Sequence, residues 1–418
     1  MTTSRSELNP SADRDDDGDV VRPNRTRDKE ESAKEAAQRL DEIHQYLSDR
    51  YRRRDVIAQT RTAAGLQLDW VPLELLADGK PADPPDEDRP IEPPKGERAA
   101  EAVRFELEDE RAERGPAGTV PLVRKPIERI RPYVGLNDWL AKGIRAKRVA
   151  PPDRPGGLEL PGSGSLHKYA STSQSVTCYG TEGNINAWDP YVDRSDEFSL
   201  GQLALSRGSG NDQQTLEVGT QEYRDLYGDW VPHLFVFYTT NNYTSQGDNL
   251  GGYNQDVDGW VQYSSSIHPE AFITPLSVSG GQQYILQIKV QLWQGNWWVR
   301  VHGSWIGYYP ASLYDTAGLE SQASRVAWYG EVVDSDDDPA TTRTDMGNGH
   351  WPYEGWQHCA YMNNLLYQST TGGAMSPYNG ASWASHPSCY NLETHFNNAD
   401  SWGSYFWWGG SGRNAQCP

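Results

Sequence analysis

Within the segment YILQIKVQLW (284–293), residues 286–292 alternate apolar and polar side chains, and a period of two fits a β-strand and not a helix. Tyr284, Leu286, Ile288, Val290 and Leu292 face one way, and Gln287, Lys289 and Gln291 face the other. Gln294-Gly295-Asn296 then turns the chain into WWVRVHG, so the two runs read as a hairpin. HLFVFYTT (233–240), DGWVQY (258–263) and RVAWYGEVV (325–333) repeat the texture, separated by Gly, Asn, Asp and Ser turns. Repeated short strands with no helical period predict a mainly β fold, an antiparallel β-sandwich.

That texture begins only near residue 165. Residues 1–164 hold 29 Lys and Arg against 33 Asp and Glu, whereas residues 165–418 hold 9 against 25, together with fourteen of the sixteen tryptophans. The division predicts a charged N-terminal region ahead of one acidic, aromatic domain. Residues 1–28 read as disordered. Residues 29–164 form a Pro-rich, α-containing region with a helix over about 30–57, where Leu40, Ile43, Leu47 and Tyr51 share a face. TRTAAGLQLDWVPLELL (60–76) reads as a hairpin anchored by Trp70, and a second helix is expected over 97–114. Residues 165–418 form the sandwich, including a Cys-containing tail over 369–418.

The acidic domain offers no Lys/Arg stripe for phosphates, which argues against nucleic acid as a partner. No run of about 18 apolar residues exists to span a membrane, and the N-terminus lacks the apolar core of a signal peptide. The four cysteines allow three pairings; Cys389–Cys417 and Cys178–Cys359 are the expected ones, with free buried thiols as the alternative in a reducing compartment.

Two carboxylates stand out. Alternation in RVAWYGEVV places Tyr329, Glu331 and Val333 on one face and Trp328, Gly330 and Val332 on the other. In QTLEVGT, Glu217 shares its face with Thr215 and Gly219. Isolated glutamates in apolar, Gly-bearing strands suit an acid/base pair, one ionised and one protonated, and the adjacent glycines are expected to let a ligand backbone approach. The acidic run at 334–338 reads as a solvated turn that would raise the Glu331 pKa. His350 and His358 do not have zinc spacing, and no G-x-S-x-G occurs. Trp297, Trp298 and Trp305 admit three readings: core, a stacking subsite for a proline ring, or a sugar platform. Trp297 and Trp298 point to opposite faces, so no more than one of them is expected in the core.

From His167 onward, HKYA (167–170), INAWDPYV (185–192), EFSLGQLAL (197–205), TLEVG (215–219), YGD (227–229), GNWWVRV (295–301), IGYYPASLY (306–314), VAWYGEVV (326–333), TDMGNGHW (344–351) and CAYMNN (359–364) follow one another. In that order they resemble the neprosin family of glutamic prolyl endopeptidases. The resemblance implies a β-sandwich, an acidic optimum, no metal or other cofactor, and peptide cleavage after proline by a dyad at Glu217 and Glu331. On this reading Tyr329, Trp298, Trp305 and Gly219 contact substrate. It also implies extracellular work on protein or peptide substrates, and an N-terminal segment that inhibits its own chain until removed. Pro155 and Pro161 would then be self-cleavage sites. A β-sandwich glycoside hydrolase using the same glutamates and a non-catalytic carbohydrate- or protein-binding module are the alternatives.

Overall fold

A computed structural model describes residues 33–77, 79–86, 96–127, 135–143, 167–335, 341–396 and 401–417. Residues 1–28, Pro155, Pro161 and the acidic residues 336–338 lie outside this set.

Two antiparallel sheets pack face to face, as the alternation predicts. The seven-stranded sheet runs, edge to edge, Gly251–Tyr253, His233–Thr239, Gln214–Glu222, Ser199–Arg207, Ala323–Val333, His167–Cys178 and Ala381–Ala384. The ten-stranded sheet is centred on Gly180–Asn186, Tyr284–Trp293 and Asn296–Val301. Leu203, Leu216, Val218, Trp328 and Val332 from the first sheet meet Ile185, Leu286, Ile288, Val290, Trp297 and Trp408 from the second in one continuous core. Each buried large side chain stabilises the sandwich by about 1.5–3 kcal/mol. The tail belongs to this core: Ala381–Ala384 extends one sheet, while Tyr405–Gly409 and Asn391–His395 extend the other.

Cys389 and Cys417 form a disulfide, as expected. Cys178 and Cys359 do not pair and are separate buried thiols. Cys178 sits in the inter-sheet core, whereas Cys359 packs with Tyr361 and Trp402 in another cluster. Burial pushes the Cys178 thiol up to about 12.

The N-terminal region wraps both sheets. Its helix runs Ala33–Arg52 and buries Ile43, Leu47 and Tyr51 against the core that includes Tyr227 and Tyr253. Ala58–Arg61 and Gln67–Pro72 form the expected hairpin, with Trp70 fully buried and its indole N–H on Thr60 at 2.8 Å. The helix expected over 97–114 is absent. Glu101–Ala102 instead adds a parallel strand beside Tyr284 and Ile285, and Leu107 plugs the hairpin cluster with Leu68 and Trp70. Tertiary pairing here overrides local helix propensity. Basic residues of this region meet the acidic domain: the Arg50 guanidinium binds Asp248 at 2.9 Å and Asp258 at 2.8 Å, and Lys125 pairs with Asp256 and Glu270.

Candidate active site

Glu217 and Glu331 stand on strands separated by one other, Ser199–Arg207. The ladder sets them diagonally across the sheet: Glu217 pairs with Ala204, Ala204 with Ala327, and Glu331 lies further along that strand, opposite Leu200. It also pairs Gln202 with Gly219, and Tyr329 with Gln202. Paired residues project to the same face, so Glu217, Gln202, Tyr329 and Glu331 converge on the outer side of the sheet. Gln202 sits between the glutamates, its amide N–H₂ donating to Glu217 Oε2 at 2.7 Å and to the Tyr329 hydroxyl.

A single ammonium closes this arrangement. Lys142 Nζ donates to Glu217 Oε2 at 2.6 Å, to Glu331 Oε2 at 2.7 Å and to Gln202 Oε1 at 3.1 Å. The facing carboxylate oxygens are therefore within two hydrogen-bond lengths of each other. Both glutamates are almost wholly buried, at 0% and 1% exposure, so the site is occupied by the protein's own side chain.

The short turn that delivers Lys142 is fixed by what surrounds it. Leu136–Trp139 forms one helical turn; Trp139 is buried, with its indole N–H on the Asp225 carbonyl at 3.2 Å. Gly143 follows with φ of +82°, and a Cβ there would lie 2.8 Å from Val333 and 3.3 Å from the His167 ring. Only glycine satisfies both the backbone conformation and the close approach.

The remaining bonds differ between the two carboxylates. Glu217 Oε1 accepts from the Tyr243 hydroxyl at 2.5 Å and from Thr215 at 2.9 Å. Glu331 Oε1 meets His167 Nδ1 at 2.5 Å, and the Tyr169 hydroxyl also hydrogen-bonds this carboxylate. Burial opposes ionisation of Glu331, but the Lys142 ammonium and His167 outweigh it and hold the carboxyl at about 2. The net shift is downward, opposite to the push expected from the acidic turn, because Lys142 and His167 lie against the carboxylate. Burial works against the Lys142 charge, yet the two carboxylates keep its pKa above the usual lysine value. Burial, with the carboxylates nearby, raises the Tyr169 and Tyr243 hydroxyls well above the ordinary phenol range, so both stay protonated donors.

Tyr329 reaches the site: its ring lies 5.7 Å from the Lys142 ammonium and packs edge-on to Tyr169 at 5.9 Å. Gly219 and Gly330 leave no space for a ligand. A Cβ on Gly219 would overlap the Gly201 carbonyl at 2.1 Å, and one on Gly330 would overlap the Trp408 ring at 2.2 Å. These glycines serve strand and sheet packing. Trp298 and Trp305 are not brought to the glutamates. They lie in the other sheet, in a cluster with Tyr308 that Leu76, Ala77 and Ala82 of the N-terminal region cover. Trp297 and Trp298 do face opposite ways and are both fully buried, Trp297 between the sheets and Trp298 under that cover.

Five residues of the site escape sequence reasoning: Gln202, His167, Lys142, Tyr169 and Tyr243. Gln202 carries a signal in hindsight, a polar side chain in the apolar run SLGQLALS whose alternation places it with Ala204. His167 opens the strand HKYA. Lys142 has no signal, being one of many lysines and arginines in a charged stretch.

A family model described as Neprosin matches residues 195–411, just over half of the chain. The match spans Gln202, Glu217, Tyr243, Tyr329 and Glu331, while Lys142 and His167 lie outside it. Among solved structures, the chain is similar to CG-16, a homodimeric agglutinin from chicken liver, at 8% identity and a TM-score of 0.22, covering 39% of this chain and 93% of that one. It is also similar to sheep galectin-11 in complex with glycerol, at 15% identity and a TM-score of 0.22, covering 38% and 90%. Likeness this slight supports no inference about function. On the match over residues 195–411, the chain belongs to the neprosin family.

Proposed function

We propose that the chain is a glutamic endopeptidase made as a zymogen, in which Glu217 and Glu331 are the catalytic dyad and residues 29–164 inhibit it until removed. Family membership supports a peptidase broadly. The observation that carries the finer reading is the Lys142 ammonium, buried and shared between exactly the two carboxylates that the sequence singles out. Nothing in the packing of a sandwich calls for two glutamates to converge across three strands. A buried pair of like charges is costly without a cation between them, and the cation is supplied by the region expected to leave.

With the lysine gone, the space it vacates lies between two carboxyl groups and can hold a water molecule and a scissile carbonyl. One glutamate, ionised, takes a proton from water as the water oxygen bonds the carbonyl carbon. The other, protonated, donates to the carbonyl oxygen. Collapse of the resulting diol breaks the C–N bond, the amine nitrogen takes a proton from the first glutamate, and a hydroxyl proton returns to the second. One water is consumed and both groups are restored. Cleavage after proline is the preference that the resemblance implies, and the aromatic side chains of Tyr169, Tyr329 and Trp383 around the dyad suit a proline ring.

The test is hydrolysis of a proline-containing fluorogenic peptide by the full-length chain before and after acidification, with Glu217→Gln and Glu331→Gln alongside. Cleavage that appears on acidification and is lost in both variants supports the reading. Cleavage that survives both substitutions, or turnover of a polysaccharide with none of peptide, overturns it.

A further inference from the structure

We propose that His167 is a positioning residue that divides the labour of the dyad, keeping Glu331 ionised as the general base and leaving Glu217 to act as the acid. The inference rests on the peptidase reading above and adds to it an assignment of roles.

The argument starts from what remains once Lys142 is withdrawn. Both carboxylates lose the same ammonium at nearly the same distance, so the lysine cannot tell them apart. Their other partners can. Each keeps a tyrosine hydroxyl, Tyr243 on Glu217 and Tyr169 on Glu331. Among the described residues, the further donors to Glu217 are the uncharged Thr215 hydroxyl and Gln202 amide. Glu331 adds His167 at 2.5 Å, a group able to carry a positive charge. Two buried carboxyls this close cannot both ionise at low cost. A cation on one of them settles which does, and the pair then titrates as a unit.

His167 is placed to do this in the mature enzyme as well as in the latent chain. It belongs to the His167–Cys178 strand, which pairs with the Glu331 strand through Val333 opposite His167 and Tyr169 opposite Glu331. Lys142 comes from the N-terminal region, whereas His167 is part of the sheet itself. The ring is buried, packs edge-on to Phe198 at 6.1 Å and lies parallel to Tyr169 at 6.2 Å, so its Nδ1 is aimed by packing. The charged and titratable groups facing the His167–Glu331 pair are Lys142 from the N-terminal turn, Tyr169 from its own strand, Tyr329 beside Glu331, and Glu217 with Tyr243 across the site. The neighbouring Lys168 reaches His386 instead, at 3.4 Å.

The assignment makes the reaction directional. Glu331 accepts the proton of water, which leaves it a neutral acid still hydrogen-bonded to His167. Glu217 gives its proton to the carbonyl oxygen, and Gln202, whose carbonyl oxygen no longer accepts from Lys142, is the adjacent group able to take part in holding that proton. The amine leaves with the proton of Glu331, and Glu217 is reprotonated from the diol.

The experiment uses the full-length chain carrying Lys142→Ala, with His167→Gln and His167→Asn added singly, and reads kcat/KM on a proline-containing peptide across pH. Loss of the imidazolium should move the acidic limb of the profile upward by about one to three pH units, with KM little changed. A purely structural role for His167 would lower activity at every pH and leave the limb in place, which overturns the proposal. The second readout does not depend on turnover: the His167 ring ¹⁵N signals of the Lys142→Ala chain at one fixed pH. They should shift clearly on adding Glu331→Gln, which removes the carboxylate bonded to Nδ1, and far less on adding Glu217→Gln. Equal shifts, or none, sink the assignment even where peptide hydrolysis is intact. A Lys142→Ala chain without peptide hydrolysis at any pH is one whose site the surrounding packing still blocks, and the NMR comparison then decides by itself whether His167 pairs selectively with Glu331.

Discussion

The N-terminal region covers the two sheets by opposite means. On the seven-stranded sheet it inserts a charge, Lys142, between two carboxylates. On the ten-stranded sheet it lays Leu76, Ala77 and Ala82 over Trp298, Tyr308 and Val261. An ionic plug and an apolar cover both exclude water, but only the first depends on protonation. An apolar contact is retained at any pH that keeps the fold, whereas a carboxylate-bound ammonium is lost when the carboxylates accept protons. The difference teaches that one region can be held on by burial while its grip on the site is released by acid.

Four measurements break or sharpen this contrast. The largest effect is expected from Glu217→Gln and Glu331→Gln, each of which should lower kcat/KM on a proline peptide by about 10²–10⁴-fold while leaving the apolar cover untouched. Next is Lys142→Ala in the full-length chain. Removing one partner of a buried ion cluster costs about 3–5 kcal/mol, so peptide hydrolysis without processing should rise by roughly a hundredfold to a few thousandfold, as read in initial rates at pH 5. A latent chain after this substitution would mean that the surrounding packing, and not the ion bridge, blocks the site.

The third measurement is pH itself. The folded Glu331 carboxyl lies at about 2, against an ordinary 4.5. Its contribution to holding Lys142 is therefore complete above about pH 4.5 and disappears as pH falls toward 2. Hydrogen exchange over 135–143 should quicken through that window, while exchange over Leu73–Leu76 stays level. Parallel changes in both segments would erase the distinction between plug and cover. The smallest effect is that of Leu76→Ala, a half-buried side chain whose truncation should lower Tm by a few degrees, about 1 kcal/mol, without unmasking activity.

Much of the fold was legible because a half-buried strand leaves its period in the chain. Tyr284–Trp293 and Ala323–Val333 fall where alternation places them, and the hairpin around Trp70 follows its turn. The expected helix over 97–114 failed because a segment of mixed pattern was recruited as the partner of Tyr284 and Ile285, a contact some 180 residues away in sequence. The cysteines show the same limit. Cys389 and Cys417 close a local tail loop, whereas the fate of Cys178 and Cys359 depended on which face of which sheet each occupied. The tryptophans were ambiguous for a related reason: an indole in a strand reads alike whether another strand, a substrate or the N-terminal region covers it.

The sequence by itself determined that the chain is mainly β, with strands packed as a sandwich, and that Glu217 and Glu331 each sit on the face of a strand opposite its apolar neighbours. Those are properties of local periodicity, which the backbone geometry of a strand enforces. Only the tertiary structure decided that the two strands flank a third, that Gln202 lies between the carboxylates, that Lys142 bridges them and that His167 bonds Glu331. Each of these depends on sheet order and register, and those are set by the packing of the whole core.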